Sequence, residues 1–364
     1  MNTDHSDPHH NAIDFVRQYA LGKSKEARQL LSVVCERSNL DTDVIDTILN
    51  HIKNTAQIAI HFHPDRQLSH GTHVMEDVAT SLLHTGYYRN QFETKLSSGK
   101  LTHSADGARA KWENMLFGSA YADADLSLRP KYGSLALLGN PYGPSPRFGS
   151  CYLLLKPQCL NQATFCYGDS SDNPPSKGTI DTFEDILASL LKESFLSEQV
   201  LGHAQLRPPA LMAHLQQDLS QASKYLQESQ VLPNLNQYIE AQVHGLLPLG
   251  QCVDALVADP SFRTTSIEKT LTELCTQYEI ELRWHKGHQI HVDQVVDDFR
   301  GGDMSRVARK IAEDDLINPE LIGRALITAE ENPQLWSDFD DSPTKLLKFL
   351  WHVLIRFGTH LENK

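Results

Sequence analysis

The chain of 364 residues is long enough for two ordinary domains or for one catalytic domain with helical additions, and its 40% hydrophobic and 22% charged content is that of a soluble globular protein. A formal net charge of −13 argues against a broad nucleic-acid or anionic-membrane footprint, while a local basic groove stays open. The polar N-terminus lacks the charged-then-apolar order of a secretory signal, and no segment reaches the roughly 18 apolar residues of a membrane span, so a cytoplasmic protein is expected, with signal-less export left open.

In chain order, residues 11 to 56 are predicted helical. Ile13, Val16 and Tyr19, then Ala27, Leu30, Leu31 and Val34, then Ile45, Ile48, Leu49 and Ile52 recur at spacings of three and four, with Asp41 or Thr42 as a cap. Ile58, Ala59 and Ile60 end a buried strand that Pro64 stops, which sets His61, His63, Asp65 and Arg66 where a strand meets a loop. A polar stretch, 69 to 73, leads to a helix over 74–83. Tyr87, Arg89, Gln91 and Glu93 then alternate with Tyr88, Phe92 and Thr94, a pattern that predicts a strand with one polar, site-lining face.

A helix with Trp112, Met115, Leu116 and Phe117 is expected over 107–122, followed by a strand up to Gly139, a loop from Asn140 and strands at 148–155 and 163–167. The loop from Gly168 is rich in hydrogen-bonding side chains, and 181–230 reads mostly helical. Over 238–244 the alternation returns, with Tyr238, Glu240, Gln242 and His244 on one face. Residues 246 to 259 read as a strand end and then a helix, 267–278 as a helix, 280–284 and 289–292 as short strands, and the chain from Met304 as helical. The fold class expected is α+β: a mixed, mainly antiparallel split sheet core over 57–260, a helical section over 1–56 and a mostly helical section over 261–364.

The six cysteines form no C-x-x-C pair, which indicates buried reduced thiols rather than a zinc ribbon or a disulfide scaffold. No Gly-x-Gly-x-x-Gly, P-loop or Gly-x-Ser-x-Gly is present. What remains is a set of polar side chains on strands or strand ends: His61, His63, Asp65 and Arg66; Arg89, Gln91 and Glu93; Glu240, Gln242 and His244. One strand carboxylate opposite an Arg or His suits the stabilisation of a developing positive sugar, as when nicotinamide leaves ribose. Arg can grip a diphosphate through two hydrogen bonds, and an aromatic ring can stack on nicotinamide.

The segments His61-Phe-His-Pro-Asp-Arg66, Tyr88-Arg-Asn-Gln-Phe-Glu-Thr94, Arg129-Pro-Lys-Tyr-Gly133, Pro146-Arg-Phe-Gly-Ser150, Tyr238-Ile-Glu-Ala-Gln-Val-His-Gly245 and Leu350-Trp-His-Val-Leu354 resemble a bacterial family of unknown function from about Ile58 onward. The order of polar residues is also similar to that of ADP-ribosyltransferases, which carry an Arg or His early, a Ser or Tyr in the middle and a Glu late. That resemblance implies NAD as substrate and an acceptor left open, a protein being one candidate, as for an effector or toxin. It assigns the early role to His63, Arg66, His70 or Arg89, the middle role to Ser150 or Tyr132, and the late role to Glu240, with Gln242 beside it; His70-Gly71-Thr72 matches a nicotinamide-holding triplet of one branch. The chain departs from that pattern in lacking Ser-Thr-Ser and Glu-x-Glu, since Tyr238 stands two residues before Glu240.

Two other readings stand beside this one. His61-x-His63 with Asp65 can supply ligands to a divalent metal in a hydrolase, and His285, His288 and His291 are further candidates. Alternatively, the same polar strand faces serve a non-catalytic interaction protein.

Overall fold

The computed structural model describes residues 7–70, 74–95, 107–197, 199–227 and 229–361, without the side chains of residues 69, 70, 74 and 75. The His70-Gly71-Thr72 triplet therefore lies outside the described residues, apart from the backbone of His70. No helix among the described residues is long and apolar enough to cross a membrane.

α1 (Pro8–Arg37) opens where Asp7 accepts the backbone N–H of His9 at 3.1 Å and Pro8 takes the first position. α2 (Val44–Thr55) starts from Asp43, whose own N–H is accepted by Asp41 at 3.0 Å, so the expected cap at Asp41 or Thr42 shifts to the next residue. Eight strands then build one sheet. In chain order they are β1 (Gln57–Phe62), β2 (Lys131–Ala136), β3 (Cys151–Leu155), β4 (Ala163–Tyr167), β5 (Lys177–Thr179), β6 (Ile239–Val243), β7 (Val253–Ala258) and β8 (Glu281–Trp284). They lie side by side as β8-β7-β3-β1-β2-β6-β4-β5. Every neighbouring pair is antiparallel except β7 and β8, so the fold is α+β on a mixed, mainly antiparallel sheet.

Because side chains alternate along a strand, the sheet has two unlike faces. Ile58, Ile60, Leu153, Phe165, Ile239, Ala241 and Leu256 pack with Leu31 and Val34 of α1, Ile48 and Ile52 of α2 and a further set of helices. These are α3 (Val78–Thr85), α5 (Glu184–Leu196), α6 (Pro208–His214) and α7 (Ser266–Gln277), while α4 (Ala108–Leu116) joins α1 in a small cluster around Phe117 and Tyr121. The register places Ala59, His61, Tyr132, Ser134, Glu240, Gln242, Thr164 and Tyr152 together on the opposite face. A separate core joins α8 (Met304–Ile311), α9 (Pro319–Glu331) and α10 (Pro343–Phe357) through Val307, Leu326, Leu350 and Trp351.

Several expected elements differ, each for a local reason. Residues 87–94 do not form a strand: the Asn90 side-chain oxygen Oδ1 accepts the N–H groups of Phe92 and Glu93 at 2.9 and 3.1 Å, and the Glu93 carboxylate accepts the Asn90 N–H at 2.8 Å. This capping box starts a helical turn at Gln91–Thr94. Val74–Asp77 is a strand paired with Gln67–His70, and the helix begins only after Asp77 accepts the Thr80 N–H at 2.6 Å. The helix expected to reach 122 stops at Leu116, before Gly118 and Ser119 take positive φ, and Met115 is exposed. Among the described residues of 181–230 only α5 and α6 are α-helices, and short paired strands occupy Gln199–Val200, His203–Ala204 and Gln230–Val231. The order over 246–259 is reversed: one helical turn, Leu249–Cys252, precedes β7, whose apolar run is buried between β3 and β8.

Gly149, just before β3, is packed so that a Cβ would run into the backbone of Phe62 in β1. Gly149→Ala is expected to lower unfolding free energy by about 1–3 kcal/mol, the usual cost of overpacking, in a urea titration.

Candidate functional site

Pro64 ends β1, and the turn after it is tied down by backbone bonds from Arg66 N–H to His63 O (3.4 Å), Ala79 N–H to Pro64 O (2.9 Å) and Val78 N–H to Arg66 O (3.0 Å). The turn sends its side chains in different directions. Arg66 and His63 face a cleft of about 1050 Å³, whereas Asp65 is buried against Gly323 of α9, where burial pushes its carboxyl up to about 7. His61 donates through Nδ1 to Gly149 O at 3.0 Å, and its Nε2 accepts the Ser145 N–H at 3.4 Å. Burial holds both His61 and His63 down at about 3, so both imidazoles are neutral at neutral pH.

His61, His63 and Asp65 do not come together as a ligand set. Among the described residues the group of three with metal-ligand atoms in reach of one another is instead Asp259, His285 and His288, within 4.8 Å. Two of its members, His285 and Asp259, already have hydrogen-bond partners, whereas His288 Nδ1 has none among the described residues. His285 Nδ1 accepts the Gly287 N–H at 2.9 Å, so Nε2 carries the proton and donates to Ser150 O at 2.8 Å, and a metal would have to displace it. Asp259 accepts N–H groups from Ser261 and His288 at 2.8 and 3.2 Å, and His291 lies outside the group.

The cleft lies over the polar face of the sheet, and Glu240 lines it from β6. A chain of hydrogen bonds runs along this face towards Glu240. Thr164 has one hydroxyl proton and gives it to Gln242 Oε1 at 2.7 Å, so His244 Nε2 donates to Thr164 (3.1 Å) and its Nδ1 accepts from Tyr121 O–H (2.6 Å). With Gln242 Oε1 occupied, its Nε2 donates to Glu240 Oε1 at 2.9 Å. Ser170 adds its hydroxyl to the same oxygen and its N–H to Oε2 at 3.5 Å. Burial nevertheless dominates and raises the Glu240 carboxyl to about 7, against the lowering by Ser170 and Gln242.

Tyr132, on β2 opposite Gln242, donates its hydroxyl to Glu113 of α4 at 2.8 Å. Its ring lies 5.4 Å from Trp112, and the Arg109 guanidinium sits 5.1 and 5.4 Å from the Trp112 and Tyr132 rings. Glu113, fully buried, also pairs with Arg129 at 2.7 Å. Tyr132 therefore offers the cleft an aromatic face rather than a hydroxyl.

Of the residues expected at a site, Glu240, His61, His63, Arg66, Arg89, Gln91 and Tyr132 line this cleft, with Arg89 bonded to Ser81. Gln242 stands behind the carboxylate and orients it. Ser150 is buried at the start of β3, its Oγ 3.5 Å from His63 Nδ1, and is not part of the cleft wall; Ser170 is the hydroxyl beside Glu240. Sequence reasoning also missed Arg109, Trp112, Arg147, Arg300 and His352 in the lining. The signals available were the Arg109/Glu113 spacing of four around Trp112 and the serines of the 168–175 loop.

Glu240 has its ordinary value of 4.5 in the unfolded chain and about 7 in the folded one. Between these the folded state binds more protons, so this group's contribution to stability falls as pH rises through that window. Glu240→Gln is accordingly expected to raise stability at pH 8.5, by at most about 3 kcal/mol, and to lose that advantage at pH 4, in paired denaturation curves.

No curated protein matches the sequence. The sequence profile of the family described as "Protein of unknown function (DUF3626)" matches residues 57–357, from the first residue of β1 to the last of α10. The chain belongs to the DUF3626 family.

Proposed function

We propose that the protein is an ADP-ribosyltransferase-like enzyme that binds NAD in the cleft, cleaves the nicotinamide–ribose bond and passes ADP-ribose to an acceptor. The observation that carries this reading is the strand-borne carboxylate of Glu240, held by neutral donors in a deep cleft lined by Tyr132, Trp112 and several arginines, in a chain of net charge −13. When the C–N bond breaks, its electron pair leaves with nicotinamide and positive charge grows on the ribose. Ionised Glu240 accepts a bond from a ribose hydroxyl and offsets that charge. The Tyr132 and Trp112 faces suit the nicotinamide ring, and Arg66 and Arg89 suit the diphosphate. The acceptor's nucleophilic atom then adds to the sugar carbon and releases its proton.

Tyr238 occupies the position two residues before Glu240, where a carboxylate activating the acceptor would stand. Asp169 lines the cleft and its charge bears on both Glu240 and Tyr238, which makes it the candidate for that role.

Nicotinamide release is expected to rise with pH through about 7, as Glu240 ionises. Glu240→Gln is expected to lower it by roughly 10²–10³-fold in a fold that circular dichroism finds unchanged. Wild-type protein that neither binds nor turns over NAD would end this reading. A stoichiometric metal in the same sample, lost on substitution of His285 or His288, would move it to the metal-dependent hydrolase.

A further inference from the structure

We infer that the wall of the cleft where the C-terminal section meets the turn Pro146–Phe148 is a binding site for a phosphate group, built from Arg147, Arg300, Lys348 and His352. These four side chains come from three places in the sequence: the turn Pro146–Phe148, the loop before α8, and α10. All of them line the cleft. The two elements that carry three of them are fastened together, since Trp351 Nε1–H is shared between the carbonyls of Pro146 and Arg147, at 3.2 Å each.

His352 points most directly to a ligand. It is 3% exposed, it faces the cleft, and neither ring nitrogen has a hydrogen-bond partner among the described residues. A buried imidazole left this way lacks the bonds that buried polar groups ordinarily find. The charges bearing on it are those of Arg300, Arg147 and Lys348, all positive, and together with burial they keep the ring neutral. It therefore has one N–H to donate.

The two arginines show the same incompleteness. Arg147 bonds to the neutral Asn236 at 2.9 Å, and among the described residues neither Arg147 nor Arg300 has an ion pair. Arg300 has a buried Nε without a partner and feels the repulsion of Arg147. Cations held together against their own repulsion, beside a neutral N–H donor, match an oxyanion that accepts several bonds at once. The acids lining the cleft, Asp169, Asp172 and Glu240, come instead from β6 and the loop after β4.

The inference does not depend on NAD cleavage. The phosphate can belong to a dinucleotide or to a second, phosphorylated substrate.

The test is calorimetric titration of the full-length protein with inorganic pyrophosphate at low ionic strength. Binding is expected in the wild type, weaker with added salt, and at least 10-fold weaker in the Arg300→Gln/Lys348→Gln double variant. His352→Phe keeps a ring but removes the N–H, and is expected to weaken binding with an unchanged melting curve. Should the double variant unfold, Arg300→Gln alone, in its half-exposed loop, takes its place. No binding at millimolar pyrophosphate, or equal binding by wild type and folded variants, overturns the site. NAD that competes with pyrophosphate assigns the site to the dinucleotide; simultaneous binding assigns it to a second substrate. Pyrophosphate binding with no NAD binding keeps the site and removes the transferase reading.

Discussion

The rest of the candidate site depends on where the protons lie along one face of the sheet. Thr164 gives its single hydroxyl proton to Gln242, so His244 donates to Thr164 and accepts from Tyr121, and an N–H of Gln242 points at Glu240. The chain works only because β6 and β4 are in a register that sets Gln242 opposite Thr164. A slip of one residue would turn Glu240 into the helical core and bring Ala241 to the cleft. Burial pulls against this arrangement, and the result is a carboxylate balanced between its charged and neutral forms near neutral pH.

The two faces of the sheet divide the work. One is covered by helices whose Leu, Ile and Val side chains form the main core, which gives β6 a rigid backing. The other is polar and half enclosed. α4 supplies one wall with Arg109 and Trp112, braced by the Glu113–Arg129 pair, and α10 supplies another with Lys348, Phe349 and His352, braced by Trp351. The family match spans β1 to α10, so the sheet and both walls of the cleft fall inside it, while α1 and α2 cover the far face from outside.

Much of this was legible in the residues themselves. The alternation over 238–244 identified the strand and its polar face, because period two is a property of the backbone that survives burial. Apolar spacings of three and four placed α1, α2 and α7 for the same reason. The similar alternation over 87–94 misled, because a run that short fits either period and the capping box at Asn90 decides it. Pairs distant in the chain were out of reach. Nothing in the sequence joins Glu113 to Arg129 across the Phe117 turn, or His352 to Arg147, because those meetings are products of packing. Ser150 was the serine expected at the site, and only the folded arrangement shows that Ser170, from a loop read simply as polar, lies beside Glu240 instead.

All six cysteines are free, and all six are buried. Cys151 and Cys166 lie within the sheet, Cys35 and Cys275 under helices, and Cys159 and Cys252 at the strand ends between them. The thiols therefore sample the layers of the molecule separately. A thiol-reactive dye would meet almost none of them in the native protein, and the order in which they became reactive under denaturant would trace which layer opens first.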